Sequence, residues 1–419
     1  MSQATHTQAT HTQPAPGQSA GPASGPDLLY GEDETDLRDA VRSLLEDRAQ
    51  WRDVLARTQT MQTCDTGLWR TLAAQVGCAG LLVPQAQGGA GASYREAAVV
   101  AEELGRATAA VPFLGSAVVA TTALLAAGDD ELLAAVASGV VTAALAVPFA
   151  IAGFTTGPST TVPSTTGPAD SPQVPTVRLD GGAGDAPGTY RLTGSVAGVA
   201  DALTADVLLI PADGVPYGLY AVRADEAGVT RAPVISLDMT RQLADLTLDN
   251  VPARLLATGN AAHQAVAAAL TAGAGILASE QLGIAERCLE LTVAYVKERR
   301  QFARPVGSFQ AIKHRLADLW VAVIQARAAA RYAANCLATS DPDTRVAVAL
   351  AKATCSDVAI KAAQETVQLH GGIGFTWEHP AHLYLKRAKA DSIGFGTADA
   401  HRASLAGLAG LPAAGAGGA

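Results

Sequence analysis

Apolar positions recur at helical spacing through the first third of the chain. LRDAVRSLLEDRA places Leu37, Val41, Leu44 and Leu45 on one face, and LWRTLAAQVG repeats the pattern up to Gly77. A Pro- and Gly-containing loop, GLLVPQAQGGAGAS, follows. Ser93 with Glu96 then forms a capping-box signature that opens a helix through REAAVVAEELGRA. After Ser138 the period changes. VVTAALAVPF, TYRLTG, ADVLLIPA, YGLYAV and LADLTLDNV are short apolar runs between turn residues and predict strands, with Pro252 closing the β region. From Ala262 the helical spacing returns. It predicts a helix over 263–300, a second from near Ser308 with Leu316, Leu319 and Val323 inward, and a third. The third opens at Asp341-Pro342, an N-cap with proline in the first turn, and stops at Gly371-Gly372.

Long helices with short connections pack as antiparallel bundles. The expected fold is therefore multi-domain α+β. A disordered tail covers 1–27 and an N-terminal α-helical domain 28–140. A middle β-barrel or sandwich-like domain covers 141–255, with a Thr/Pro/Gly-rich surface loop at 154–188. A C-terminal antiparallel four-helix bundle spans 256–411.

Composition narrows the function classes. The net charge of −9 gives no electrostatic drive toward nucleic acid or anionic lipid. Residues 107–128 and 132–169 lack charge, but their Ala, Gly, Thr and Ser content, broken by Pro112 and Pro148, predicts buried elements rather than membrane spans. The tail has no apolar stretch of a secretory signal. Five cysteines without CxxC spacing read as reduced, buried thiols, so the expected compartment is the cytoplasm.

Three stretches carry a family resemblance: LWRTLAAQVGCAGLLVPQAQGGAG with EELGRA, then ERRQFARPVGSFQAIKHRLADL, then QLHGGIGFTWEHPAHLYLKRAKADSIGFGT. Over about residues 33–411 the chain resembles the acyl-CoA dehydrogenases. The resemblance implies an FAD flavoprotein that desaturates an acyl-CoA thioester and passes electrons to an acceptor such as an electron-transfer flavoprotein. It also implies an oligomer, because these segments grip the ADP half of an FAD whose flavin lies in a neighbouring subunit. Arg299 then supplies charge to the pyrophosphate, beside Gln301. Phe302 packs on the dinucleotide and Gln310 hydrogen-bonds it. Gln368, Gly371 and Gly372 let it approach the backbone. Taken singly, each has a plainer reading: Arg299 as a solvated helix end, Phe302 as core, the glycines as a helix stop.

The departures are as informative. The family's catalytic glutamate usually precedes the Gly-Thr of the closing segment, and here Phe395 stands there. The alternative family base position falls on Gly273, followed by Ala274. Neither can accept a proton. Glu280, two turns further on, reads as a structural or solvated helix residue. The flavin-lining segment of the family corresponds to VPFAIAGFTTGPS, with no acidic residue. Elements serving a neighbour's FAD look intact and those serving the chain's own flavin do not. This implies the subunit without a base in a heterotetramer, similar to actinobacterial α2β2 enzymes that act on steroid side-chain CoA thioesters. Three alternatives stay open: a self-sufficient homotetramer with its base elsewhere, an oxidase or monooxygenase, and an FAD-free assembly protein.

Overall fold

The computed structural model describes residues 28–60, 62–151, 177–180, 190–214 and 216–410. The tail 1–27 and most of the 154–188 insert lie outside them. The N-terminal part is helical: α1 (Glu32–Arg48), α2 (Trp51–Thr58), α3 (Thr66–Ala74) and α4 (Tyr94–Ala107). Val41 and Leu45 of α1 are buried as the periodicity requires. Ser93 caps α4, with the Glu96 side chain returning to the Ser93 N–H at 2.8 Å. The uncharged stretch beyond forms a buried π-helical segment, Phe113–Ala120, that continues into α5 (Thr121–Ala127), followed by α6 (Asp130–Ala137).

The middle unit holds β1 (Ala143–Leu145), β2 (Arg178–Asp180), β3 (Tyr190–Ala200), β4 (Val207–Ala212), β5 (Gly218–Arg223), β6 (Val229–Pro233) and β7 (Leu243–Thr258). The strand order is β1-β4-β5-β7-β3-β2, with β6 on β7 and β1 parallel to β4. No closed barrel forms among the described residues, so the barrel half of the expected fold is corrected to an open, mixed sheet. The strand that changes partner is β7. Its first half pairs with β3 and β6, and its last residues pair with β5. Pro252 sits at that change of partner rather than ending the β region, where a missing N–H costs the ladder least. The insert is not all loop, since β2 lies within it.

The bundle is built on α7 (Gly259–Glu298), a helix about 60 Å long at 1.5 Å per residue. A small hairpin, β8 (Arg300–Gln301) and β9 (Arg304–Pro305), leads to α8 (Gln310–Thr339) and α9 (Thr344–His370). The shorter α10 (Ala381–Ile393) and α11 (Ala398–Leu408) pack on α9. The third helix starts two residues later than Asp341-Pro342 predicted. Asp341 instead folds the preceding turn, its side chain accepting the Asp343 N–H at 2.8 Å.

N-terminal helices and bundle share one hydrophobic core. The α4–α7 crossing is glycine-dependent. A Cβ on Gly283 would stand 1.9 Å from the Glu102 carbonyl oxygen, and one on Gly105 2.1 Å from that of Glu280. Among the described residues only α7 is long and apolar enough to cross a membrane, and its apolar window lies mostly inside the protein. All five cysteines are buried and unpaired.

Candidate functional site

One end of the bundle gathers the residues nominated from sequence. Tyr295, one turn before Arg299, stacks on His370 with centroids 4.3 Å apart. Thr292 donates to Thr366 Oγ1 at 3.0 Å. These contacts seat the end of α7 beside the end of α9, so the 299–310 and 368–372 segments share one surface. Arg299, Gln301, Phe302, Gln310, Gln368, Gly371 and Gly372 are all exposed. Lys297, Arg299, Arg300 and Arg304 outnumber Glu298 there, giving a cationic surface.

Two details of this surface bear on a ligand, although the Phe302 ring also meets Phe309 edge-on at 6.2 Å. Phe302 and Ala303, at the tip of the β8–β9 hairpin, both have positive φ (51° and 61°). Two-residue hairpins of that geometry favour Asn-Gly, because a side chain at positive φ is strained. Phe302 is also 86 % exposed, which excludes the core reading. Gly372 has no positive φ, and a Cβ placed on it would meet nothing within 4 Å. Its neighbour Gly371 does need its glycine, at φ 63° where the helix stops. A bare backbone and an aromatic ring held open beside arginines fit the approach of a dinucleotide, with Arg299 for the pyrophosphate and Phe302 as an apolar face.

The interior tells a different story. Phe395 and Gly273 come together deep in the molecule, the Gly273 position lying against the Phe395 ring. Phe149, from the segment VPFAIAG, joins them, its ring edge-on to Phe395 at 5.4 Å. The space left, about 10 Å³, is lined by Leu114, Val119, Leu145 and Val147. Phe149 is a residue whose partner no local spacing in the sequence reveals.

Beside this point lies a buried ion network that sequence reasoning missed. Glu280 accepts from Arg241 Nη2 and Arg387 Nη1, each at 2.7 Å. Arg387 Nε also stands 2.9 Å from Asp238, and Arg241 Nη2 3.3 Å from Asp391. Burial works against the ionised Glu280, but Arg241 and then Arg387 outweigh it and hold the carboxyl below its usual range. Glu280, expected as a structural or solvated helix residue, is buried and ion-paired rather than solvated. Burial, with the Glu280 charge next, pushes Asp391 up to about 7. Lys352, fully buried, donates to Ser356 Oγ, the Asp391 carbonyl and the Gly396 carbonyl at 3.0, 3.0 and 3.2 Å.

Fold and surface together define the class: an α–β–α chain whose helical bundle presents an exposed cationic and aromatic end. Residues 31–143 match the acyl-CoA dehydrogenase N-terminal domain, and 263–408 match the acyl-CoA dehydrogenase C-terminal domain. Acyl-CoA dehydrogenase IpdE2 of Mycolicibacterium smegmatis is 35 % identical over 352 residues, 84 % of this chain and 91 % of that protein. IpdE2 of Mycobacterium tuberculosis is 34 % identical over 359 residues, 85 % and 91 % of the two chains. Among solved structures, a variant of the Tcur3481–Tcur3483 steroid ACAD aligns at 31 % identity and TM-score 0.74, covering 90 % of this chain and 98 % of that one. The ChsE4–ChsE5 complex from Mycobacterium tuberculosis aligns at 27 % and 0.78, covering 93 % and 100 %. The chain belongs to the acyl-CoA dehydrogenase family, whose members are FAD-dependent oxidoreductases acting on the CH–CH bond of acyl-CoA. The family drawn from the sequence motifs is borne out.

Proposed function

We propose that this chain is the subunit without a catalytic base in a heteromeric acyl-CoA dehydrogenase, completing the FAD site of a homologous partner that carries the glutamate. The observation that carries the reading is the bundle end. Phe302 is 86 % exposed and meets the Phe309 ring edge-on at 6.2 Å, a Cβ on Gly372 would meet nothing within 4 Å, and both are exposed at the same end as Arg299. Bound FAD supplies the hydride acceptor at its flavin. This chain's part is to bind and orient: Arg299 neutralises pyrophosphate charge, Gln301, Gln310 and Gln368 donate or accept hydrogen bonds, and Phe302 shields the dinucleotide from water. Phe395 and Gly273 at the two family base positions leave proton abstraction to the partner. Acyl-CoA is the substrate class, and steroid side-chain thioesters are favoured by the relatives described as a steroid ACAD and as a two-component complex. An electron-transfer flavoprotein is the expected acceptor.

The test is a set of variants in this chain alone, Arg299→Ala, Phe302→Ala and Gln310→Ala, each co-purified with the partner. The expected result is lower FAD content in the pair with the assembly intact. FAD content unchanged in all three would contradict the proposal.

A further inference from the structure

FAD fits the bundle end but not the interior of this chain, and the misfit has a definite construction. The Phe395 N–H donates to the Phe149 carbonyl at 2.8 Å, so the β unit and the closing segment touch directly, with no layer between them. Each ring occupies space that a glycine leaves open. A Cβ on Gly394 would stand 2.4 Å from Phe149 Cζ, and one on Gly273 would stand 3.0 Å from Phe395 Cε2. The residual 10 Å³ barely reaches what one water occupies, and its apolar walls offer a water no partners. The two rings thus fill the space beside two glycines, large against small.

The turn that carries Phe395 is also held. Its φ is 51°, a conformation a phenylalanine does not adopt freely. His401 Nε2 lies 2.9 Å from the Phe395 carbonyl, and Lys352 bridges the carbonyls on either side, at Asp391 and Gly396. Arg241 lies over the Phe149 ring at 5.2 Å.

We infer that Phe149 and Phe395 form a built plug that closes this chain's own flavin-and-acyl cleft, and that Lys352 is the positioning residue that keeps the plug seated. The inference rests on the reading of Phe395 and Gly273 as the family's base positions. It deepens the proposed function by saying why only one of the two clefts in a pair can work.

The experiment titrates FAD into the purified chain and follows flavin fluorescence. The wild-type chain shows no saturable binding. The double variant Phe149→Ala/Phe395→Ala acquires saturable binding that the wild-type chain lacks. Phe395→Leu, which removes the ring but keeps an apolar side chain, gives a smaller gain in the same direction and serves if the double variant does not fold. Lys352→Met speeds amide exchange in the 394–397 turn by about tenfold while the 299–310 segment keeps its wild-type rate. Saturable FAD binding by the wild-type chain that survives Phe302→Ala would overturn the plug. So would a folded cleft variant with no gain, and a uniform exchange change in Lys352→Met would remove the positioning role. A pair whose FAD ignores Arg299, Phe302 and Gln310 sinks the proposed function instead and leaves the plug standing.

Discussion

Gly372→Ala separates a cofactor role from a folding role more cleanly than any other single change. At this position an added methyl meets nothing within 4 Å and requires no change of backbone sign. Where the backbone already suits it, Gly→Ala stabilises by about 0.4–1 kcal/mol through the unfolded chain. The melting temperature should therefore hold or rise by a few degrees. If a dinucleotide approaches this backbone, the same methyl stands in its way, and a loss of about 1.4 kcal/mol lowers FAD affinity about tenfold. The contrast with Gly371→Ala is the control. There φ is 63° and ψ −137°, a backbone that a side chain rarely adopts, so folding stability falls regardless of any ligand. The assay is FAD retained by the partner complex across a dilution series, beside thermal melting of the same samples. A stable Gly372→Ala complex with wild-type FAD affinity would refute the reasoning.

Gly283→Ala drives a methyl to 1.9 Å from the Glu102 carbonyl and should cost at least the ~1–3 kcal/mol of an overpacked core, read as a lowered denaturation midpoint. Glu280→Gln leaves two buried arginines short of a counter-charge. Its expected cost is about 3–5 kcal/mol of stability, with turnover per bound FAD unchanged in the assembled complex, whereas selective loss of turnover would make Glu280 a base. Asp391→Asn isolates a pH effect. Burial raises Asp391 from 3.8 to about 7, so between those values the folded chain keeps a proton that the unfolded chain releases. That contribution is full below about 3.8 and is lost as pH rises through 7. The melting-temperature difference between wild type and Asp391→Asn should therefore move in favour of wild type on going from neutral to acid, and a constant difference would remove the assignment.

Elements with local chemistry were legible in the sequence: the Ser93–Glu96 cap, the stop at Gly371 and the apolar faces of α1 and α8. Elements whose reason is tertiary were not. β6 reads Val-Thr-Arg-Ala-Pro, with no apolar alternation in its sequence, so it carries no strand signal until β7 offers it a partner. β7 outlasts Pro252 because it serves two sheets. The residues proposed to meet FAD could be nominated because they sit in two contiguous motifs. Phe149, Arg241, Lys352 and Arg387 could not, because they are scattered over more than half the chain and their roles exist only where the β unit meets α7, α9 and α10. Phe395 was readable as a letter, but its packing against Phe149 and Gly394 was not.

FAD content and turnover, measured for the chain alone and for the chain co-expressed with its partner, test the central claim most directly. The expected result is little flavin alone, one FAD per pair, and acyl-CoA-dependent flavin bleaching only in the pair. Full flavin loading with bleaching by the chain alone would contradict it.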